Sequence, residues 1–431
     1  MTSSELCADT IISCNNLTSC ESDNVTCRMP NTVCVNNTRC RIPVCYPIEQ
    51  ASLERCPPWT SSLSSTISSK WTIANNMNDE RYLHTASVLI GGKVLVAGGY
   101  GYDGYSYWGP LNSSELYDPA TGMWTRMGNM TLGRYYHTAS ILANGKVLVV
   151  GGYCSDEYRY LESLNSSELY DPATGIWTRM GNLAVGRYFH RTSVLANGKV
   201  LVAGGYGFDG RNYLDFLNSS ELYDPTTGIW TKTGNMHFRR YCHTASVLAN
   251  GKVLVTGGCG SDDYSYWGYL NSSELYDPTT GIWTRTGNIN VGRQYHTASV
   301  LTNGKVLVAG GYFSDEYSYW KPVNSSELYD PMTGIWTKTG NMTDGRYYHT
   351  ASVLANGKVL VAGGYGYSGS NSFGILNSSE LYDPSTGIWT KTDNMIVGRQ
   401  YHTASVLTSG KILVTGGNTE SGNFSSVELY Q

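Results

Sequence analysis

Charge is scarce in this chain. Lys, Arg, Asp and Glu supply 15% of its 431 residues, where an ordinary soluble domain carries about 25%, and the net formal charge is −4. That balance argues against a nucleic-acid binder, which needs a basic surface to meet phosphates. Phenylalanine occurs only 7 times. No apolar run approaches the roughly 18 residues of a membrane helix. The opening MTSSELCADTIISCNN lacks the basic start and apolar stretch of a secretory signal. What the chain has instead is 49 glycines and 34 tyrosines, a mixture that suits short strands joined by tight turns.

Eight of the 11 cysteines fall in residues 1–56: Cys7, Cys14, Cys20, Cys27, Cys34, Cys40, Cys45 and Cys56. A dense, even set in a short segment poor in apolar residues reads as a disulfide framework of open connectivity. Zinc is the competing reading, but the segment contains no CxxC pair and no histidine. Asn16, Asn24 and Asn36 begin N-x-S/T acceptor sequences there. These features point to an extracellular protein or ectodomain whose true start lies upstream, with a cytoplasmic chain as the alternative. Residues 57–70, PPWTSSLSSTISSK, read as a linker.

From residue 71 onward the chain repeats itself. Glycine pairs begin at Gly98, Gly151, Gly204, Gly257, Gly310, Gly363 and Gly416, each 53 residues after the last. His84 to His402 and Trp71 to Trp389 keep the same step. A fixed period of this size marks a repeat architecture. Each copy holds four strand signals: RYYHTASIL, then KVLVVGG after an Asn-Gly turn, then SSELYDP, then IWTRMGN. Four antiparallel strands repeated radially make a propeller blade.

The glycine pair closing the second strand, Tyr-Asp in the third and Trp in the fourth resemble the kelch repeat, and the match spans residues 71–431. The resemblance implies an all-β fold, a seven-bladed β-propeller of four-stranded blades, beside the small disulfide-rich segment 1–56. It leaves function open, because such propellers host many activities. First, second and third strands each occur seven times, yet the chain ends just after the last VELY. The missing fourth strand is therefore expected to be WTIANNM, residues 71–77, which would close the ring and remove its free edge.

The fourth copy, YCHTASVLANGKVLVTGGCG, carries two cysteines where the others mostly carry aromatics. A two-residue turn at Asn250-Gly251 would set Ala249 opposite Lys252 and Cys242 opposite Cys259. Their Cα atoms would then lie about 4.5 Å apart, so a disulfide is expected there, in the place of aromatic pairs such as Tyr136 with Tyr153. The single histidine per blade, set against the glycine pair, reads as a packing unit, with metal binding as the alternative.

Strand direction sorts the connections onto two ends. The ANGK and DPATG turns are nearly identical in every blade, whereas the connections from second to third strand vary. Variable loops on a rigid scaffold are where binding is usually placed. They offer Tyr107, Trp108, Tyr266, Trp267, Tyr319 and Trp320 as anchors. One arginine precedes each first strand: Arg81, Arg134, Arg187, Arg240, Arg293, Arg346 and Arg399. By resemblance these would ring the channel mouth and attract carboxylate or phosphate; pairing with the repeated glutamates, Glu115 to Glu428, is the competing reading. Further glycan acceptors are Asn112, Asn129, Asn165, Asn218, Asn271, Asn324, Asn341, Asn377 and Asn423. The resulting expectation is a non-catalytic extracellular module that needs no cofactor and holds a protein or glycan on its variable end. A copper oxidase resembling galactose oxidase and an intracellular kelch-type adaptor are its rivals.

Overall fold

The protein is described by a computed structural model that covers residues 71–431, except 103–107, 156–160, 209–213, 262–266, 315–319, 368–371, 421 and 423. Before Trp71 it covers three strand segments, Thr18–Ser19, Thr32–Asn37 and Ile42–Pro47. The backbone divides into two compact units, Met1–Ser68 and Ser69–Gln431. In the first, the three segments form one antiparallel sheet whose register sets Cys34 opposite Cys45. The remaining six cysteines of that region, Asn16, Asn24 and the expected linker lie outside the described residues.

In the second unit, every regular element described is a β-strand. Seven four-stranded antiparallel sheets recur in chain order. Blade 4 is typical, with strands Thr244–Val247, Val253–Thr256, Ser273–Asp277 and Ile282–Thr286 running from inside to outside. Blade 7 takes Thr403–Val406, Ile412–Thr415 and Val427–Tyr430 from the end of the chain and Trp71–Ala74 from its beginning. Trp71 lies opposite Tyr430 and Ala74 opposite Val427, so the expected seam is present. The inner strand of each blade touches those of the blades on either side, and Thr403–Val406 touches Thr85–Val88, completing the circle.

The second strands, VLVA and its variants, are buried along their whole length. Each is covered on both faces by neighbouring blades, which explains why they read as continuous apolar runs. One core between blades gathers Leu195, Leu201, Met236, Val253, Val255, Tyr276 and Trp283. The core at the seam has the same composition, with Trp71 beside Leu360, Met395, Ile412, Val414 and Tyr430. In every blade the third-strand tyrosine stacks obliquely on the fourth-strand tryptophan; Tyr276–Trp283 centroids lie 5.1 Å apart and Tyr430–Trp71 5.0 Å.

The hairpin between first and second strands departs from the expected register. Gly251 N donates to Leu248 O and Leu248 N donates to Lys252 O, both at 2.9 Å. Leu248 therefore faces Lys252 across a three-residue loop, Ala249-Asn250-Gly251, in which only Gly251 has positive φ, at 80°. This is a type I turn with a glycine bulge rather than a two-residue turn. The register is displaced by one residue, so Tyr241, not Cys242, opposes Cys259.

Beyond the glycine pair the two strands restart as a small second sheet on the variable end. In blade 4 this sheet comprises Arg239–Tyr241, Cys259–Ser261 and Trp267–Tyr269. The break is forced by the backbone. Gly257 and Gly258 have φ of 63° and 95°, and Cys242 has φ of 52°. A Cβ on Gly258 would lie 2.5 Å from Tyr241 O and 3.0 Å from His243 Cβ. A Cβ on Gly257 would lie 2.8 Å from His296 Cε1 in the next blade. Histidine and glycine pair thus form one packing unit.

Candidate functional site

The seven arginines do not present a ring of free guanidiniums. Arg81, Arg134, Arg187, Arg240, Arg293, Arg346 and Arg399 are each 0% exposed. Arg240 Nη2 donates to Glu274 Oε1 at 2.8 Å, while Nη1 donates to the carbonyls of Gly257 at 2.9 Å and Ser272 at 3.0 Å. The same bonds recur in other blades, with Arg293–Glu327 at 3.0 Å and Arg399–Glu428 at 2.7 Å. The second oxygen of Glu274 accepts the backbone N–H of His237 at 2.7 Å, so each glutamate also pins the loop entering its blade. Burial draws the pKa of Arg293 down to about 10, and the adjacent Glu327 offsets part of that. The guanidinium stays charged at neutral pH, but its donors are spent inside the blade. The competing expectation, internal Arg–Glu pairing, is the arrangement observed.

Cys242 and Cys259 form no disulfide. Register is the reason: Cys259 lies opposite Tyr241, and Cys242 turns out of the ladder at its positive φ. Burial pushes both thiols up, Cys259 to about 11. Cys242 belongs to a set that recurs in every blade, Leu83, Tyr136, Phe189, Cys242, Tyr295, Tyr348 and Tyr401, all with φ between 52° and 58°. Consecutive members bond through their backbones: Cys242 N donates to Phe189 O at 3.2 Å, and Tyr295 N donates to Cys242 O at 3.3 Å. Equivalent residues of adjacent blades can meet this closely only at the axis. Their rings pack together there, Tyr136 on Phe189 at 3.9 Å and Tyr348 on Tyr401 at 4.0 Å. Phe189 and Tyr295, two blades apart, approach to 6.1 Å across the small Cys242. The cysteine therefore makes room in an aromatic closure of the channel. The expected aromatic cross-strand pairs move by one residue as well, for example to Tyr188 with Tyr206 at 5.6 Å.

The variable end carries exposed aromatics. Trp267 is 55% and Trp108 45% exposed, on the short strands Trp267–Tyr269 and Trp108–Pro110. Phe373 and Tyr367 join them in blade 6. Trp320 opens the strand Trp320–Pro322, and Tyr107, Tyr266 and Tyr319 lie outside the described residues. Trp267 borders a pocket of about 480 Å³ with Phe238, Tyr269, Asn271 and Arg285. Arg285 stacks its guanidinium 4.7 Å from the Phe238 centroid. Sequence reasoning missed Phe238 and Arg285; the one signal was HFRR, the altered entry to the fourth copy. His237 in the same segment bonds Glu274 through Nδ1 at 2.8 Å.

Acceptor asparagines 165, 271, 324 and 377, just before the third strands, are exposed, and 112 and 218 are half-buried; Asn129 and Asn341 are exposed. Asn423 lies outside the described residues.

Residues 136–364 match the KLHDC2/KLHL20/DRC7 Kelch-repeats domain, and residues 81–131 match the Kelch motif. The chain belongs to the kelch-repeat family. Kelch-like protein 23 of Homo sapiens is 25% identical over 309 residues, covering 72% of this chain and 50% of its own length. Alpha-scruin of Limulus polyphemus is 29% identical over 272 residues, covering 62% and 28%. The kelch chain thus spans half the length of that kelch-like relative. A solved "Novel fungal alcohol oxidase with catalytic diversity among the AA5 family, in complex with copper" superposes with a TM-score of 0.66 at 20% identity, covering 84% of this chain and 76% of the oxidase. That likeness is one of fold. The inner-strand histidines, which a copper set would have to bring to one point, are instead distributed one per blade. His137 and His349 each bond a threonine of the preceding blade at 3.0 Å.

Proposed function

We propose that this kelch propeller is a non-catalytic protein-interaction module that docks a partner on its variable end, centred on blade 4. The observation that carries this reading is the exposed Trp267 beside the pocket formed with Phe238 and Arg285. A large amphipathic ring next to a concave, partly apolar pocket is the arrangement from which interface anchors are built. The uniform end exposes apolar residues too, Ile229 at 57% and Ile335 at 58% among them. They sit one per blade on the outermost strands, spread around the rim rather than gathered at one place.

The setting of this module is part of the proposal. Cys242 and Cys259 form no disulfide, so an extracellular placement rests on residues 1–56 and the acceptor asparagines. Kelch membership supports the adaptor reading without them. Asn271 separates the two, because it lines the pocket: a glycan there would cover the surface to which the partner is assigned.

The test compares proteins captured from native extract by the wild type, by Trp108→Ser/Trp267→Ser and by Ile229→Ser/Ile335→Ser on the opposite end. A specific partner should fall about tenfold, or 1.4 kcal/mol, with the first pair and be retained with the second. A partner lost only with the isoleucine pair would place docking on the wrong end. Stoichiometric copper in the purified protein would favour the oxidase.

A further inference from the structure

One repeated link ties neighbouring blades together near the axis. The inner strand opens on a threonine whose Oγ1 bonds the Nε2 of the histidine 52 residues on, in the next blade. Thr85 meets His137 at 3.0 Å, Thr138 meets His190 at 2.9 Å and Thr244 meets His296 at 3.0 Å. Thr403 meets His84 at 3.1 Å and carries the series across the seam. The link is broken at one place. Arg191 stands where the threonine would be, and His243, 0% exposed, has neither ring nitrogen bonded.

Arg191 differs from the arginines that staple the blades. Each of those faces a glutamate. Among the described residues Arg191 has no carboxylate partner, and its hydrogen bond runs from Nη1 to the carbonyl of His190 at 3.3 Å. The groups whose charge acts on it or feels it are His190, His243, His296 and Cys242. Burial is the largest influence on all four, lowering the imidazoles and raising the thiol, so none supplies negative charge at neutral pH. Arg191 is half-buried, so its guanidinium still reaches solvent and keeps donors with which to meet an anion. The groups on the protein leave that charge unbalanced.

Its place in the fold says what could balance it. Arg191 begins the inner strand Arg191–Val194, which bonds on one side to Val200–Ala203. The inner strands of blades 2 and 4 flank it, so its remaining open side looks onto the axial channel. The aromatic ring containing Phe189 and Tyr295 crowds one end. At the other end of the inner strands Val247, Val300 and Val406 keep 36%, 38% and 38% exposure. An oxyanion matches the planar fork of a guanidinium.

We propose that the axial channel binds a small oxyanion on Arg191. This site is independent of the partner-docking surface and stands whether or not that surface does.

Isothermal titration of the full chain with inorganic phosphate, and separately with acetate, at constant ionic strength tests it. Saturable one-to-one binding of at least one ion is expected. Arg191→Thr restores both the residue of the other blades and the partner of His243, and should weaken binding about tenfold or more. Arg285→Thr, at the distant pocket, should leave it unchanged. Absence of saturable binding to the wild type, or equal binding by R191T, overturns the proposal. Should R191T fail to fold, Arg191→Lys decides: weakened binding from loss of the fork supports the site, and unchanged binding overturns it.

Discussion

At the scale of single residues, the strongest commitments are buried charges that hold the blades rather than meet a ligand. Glu327 accepts Arg293 Nη2 at 3.0 Å and the backbone N–H of Asn290 at 2.8 Å. Removing one member of such a pair leaves the other charged and dry. Glu327→Gln should therefore cost about 3–5 kcal/mol, measured by denaturant unfolding; a loss within about 0.5 kcal/mol would mean the pair is dispensable. The buried histidines give a pH signature. Burial first, and the nearby arginine second, hold His137 and His349 at about 3, against about 6.5 in the unfolded chain. Between those values the unfolded chain binds the extra protons. Stability is then complete above about pH 6.5 and falls as pH drops towards 3, by up to about 1.4 kcal/mol per unit for each histidine. Unfolding midpoints at pH 7, 6 and 5 should decline; a flat profile would contradict buried neutral imidazoles. The sequence exposed these residues by their period but not their duties. Seven equally spaced arginines look alike whether they face solvent or a glutamate, and only burial distinguishes the cases. Arg191 was visible as the one departure from H-T-A-S, yet its meaning required knowing that the threonine slot meets the next blade's histidine.

At the scale of elements, the hairpin shows where local pattern stops being sufficient. Asn250-Gly251 reads as a two-residue turn because both residues tolerate positive φ, but only Gly251 uses it. Asn250 instead caps the loop, its Oδ1 accepting Lys252 N at 3.1 Å. One residue of slip then separated Cys242 from Cys259. The two kinds of glycine should respond differently to a methyl group. Gly251 has φ of 80°, and a Cβ there would meet nothing within 4 Å, so Gly251→Ala should cost only the backbone strain, about 1–2 kcal/mol. Gly258 adds a contact of 2.5 Å with Tyr241 O, and overpacking of that kind adds about 1–3 kcal/mol. Thermal unfolding should rank Gly258→Ala well below Gly251→Ala, and the reverse order would argue against the packing unit of histidine and glycine pair. The four strands of each blade were legible throughout, because the period of 53 repeats every signal. The second small sheets were not. They arise from paired positive-φ residues on adjacent strands, and a non-glycine residue such as Tyr295 gives no sign of that conformation.

At the scale of the whole molecule, closure is what the sequence predicted most directly, since counting strands left one fourth strand to be supplied by residues around Trp71. The seam has no special chemistry; it repeats the Tyr–Trp contact and the core found between the other blades. Trp71→Ala should accordingly cost as much as a buried aromatic truncation elsewhere, about 3–5 kcal/mol, and should lower the unfolding midpoint of the entire propeller. The end proposed for docking was legible only in outline, because its aromatics vary from blade to blade and no period constrains them.

Amide hydrogen exchange along Val427–Tyr430 in the intact chain tests closure most directly. In this strand, alternate N–H groups point to Ile412–Thr415 and to Trp71–Ala74. The account predicts that all of them exchange as slowly as those of Ser379–Asp383, the corresponding strand of blade 6. Rapid exchange at every second amide would show an open edge and contradict the closed ring.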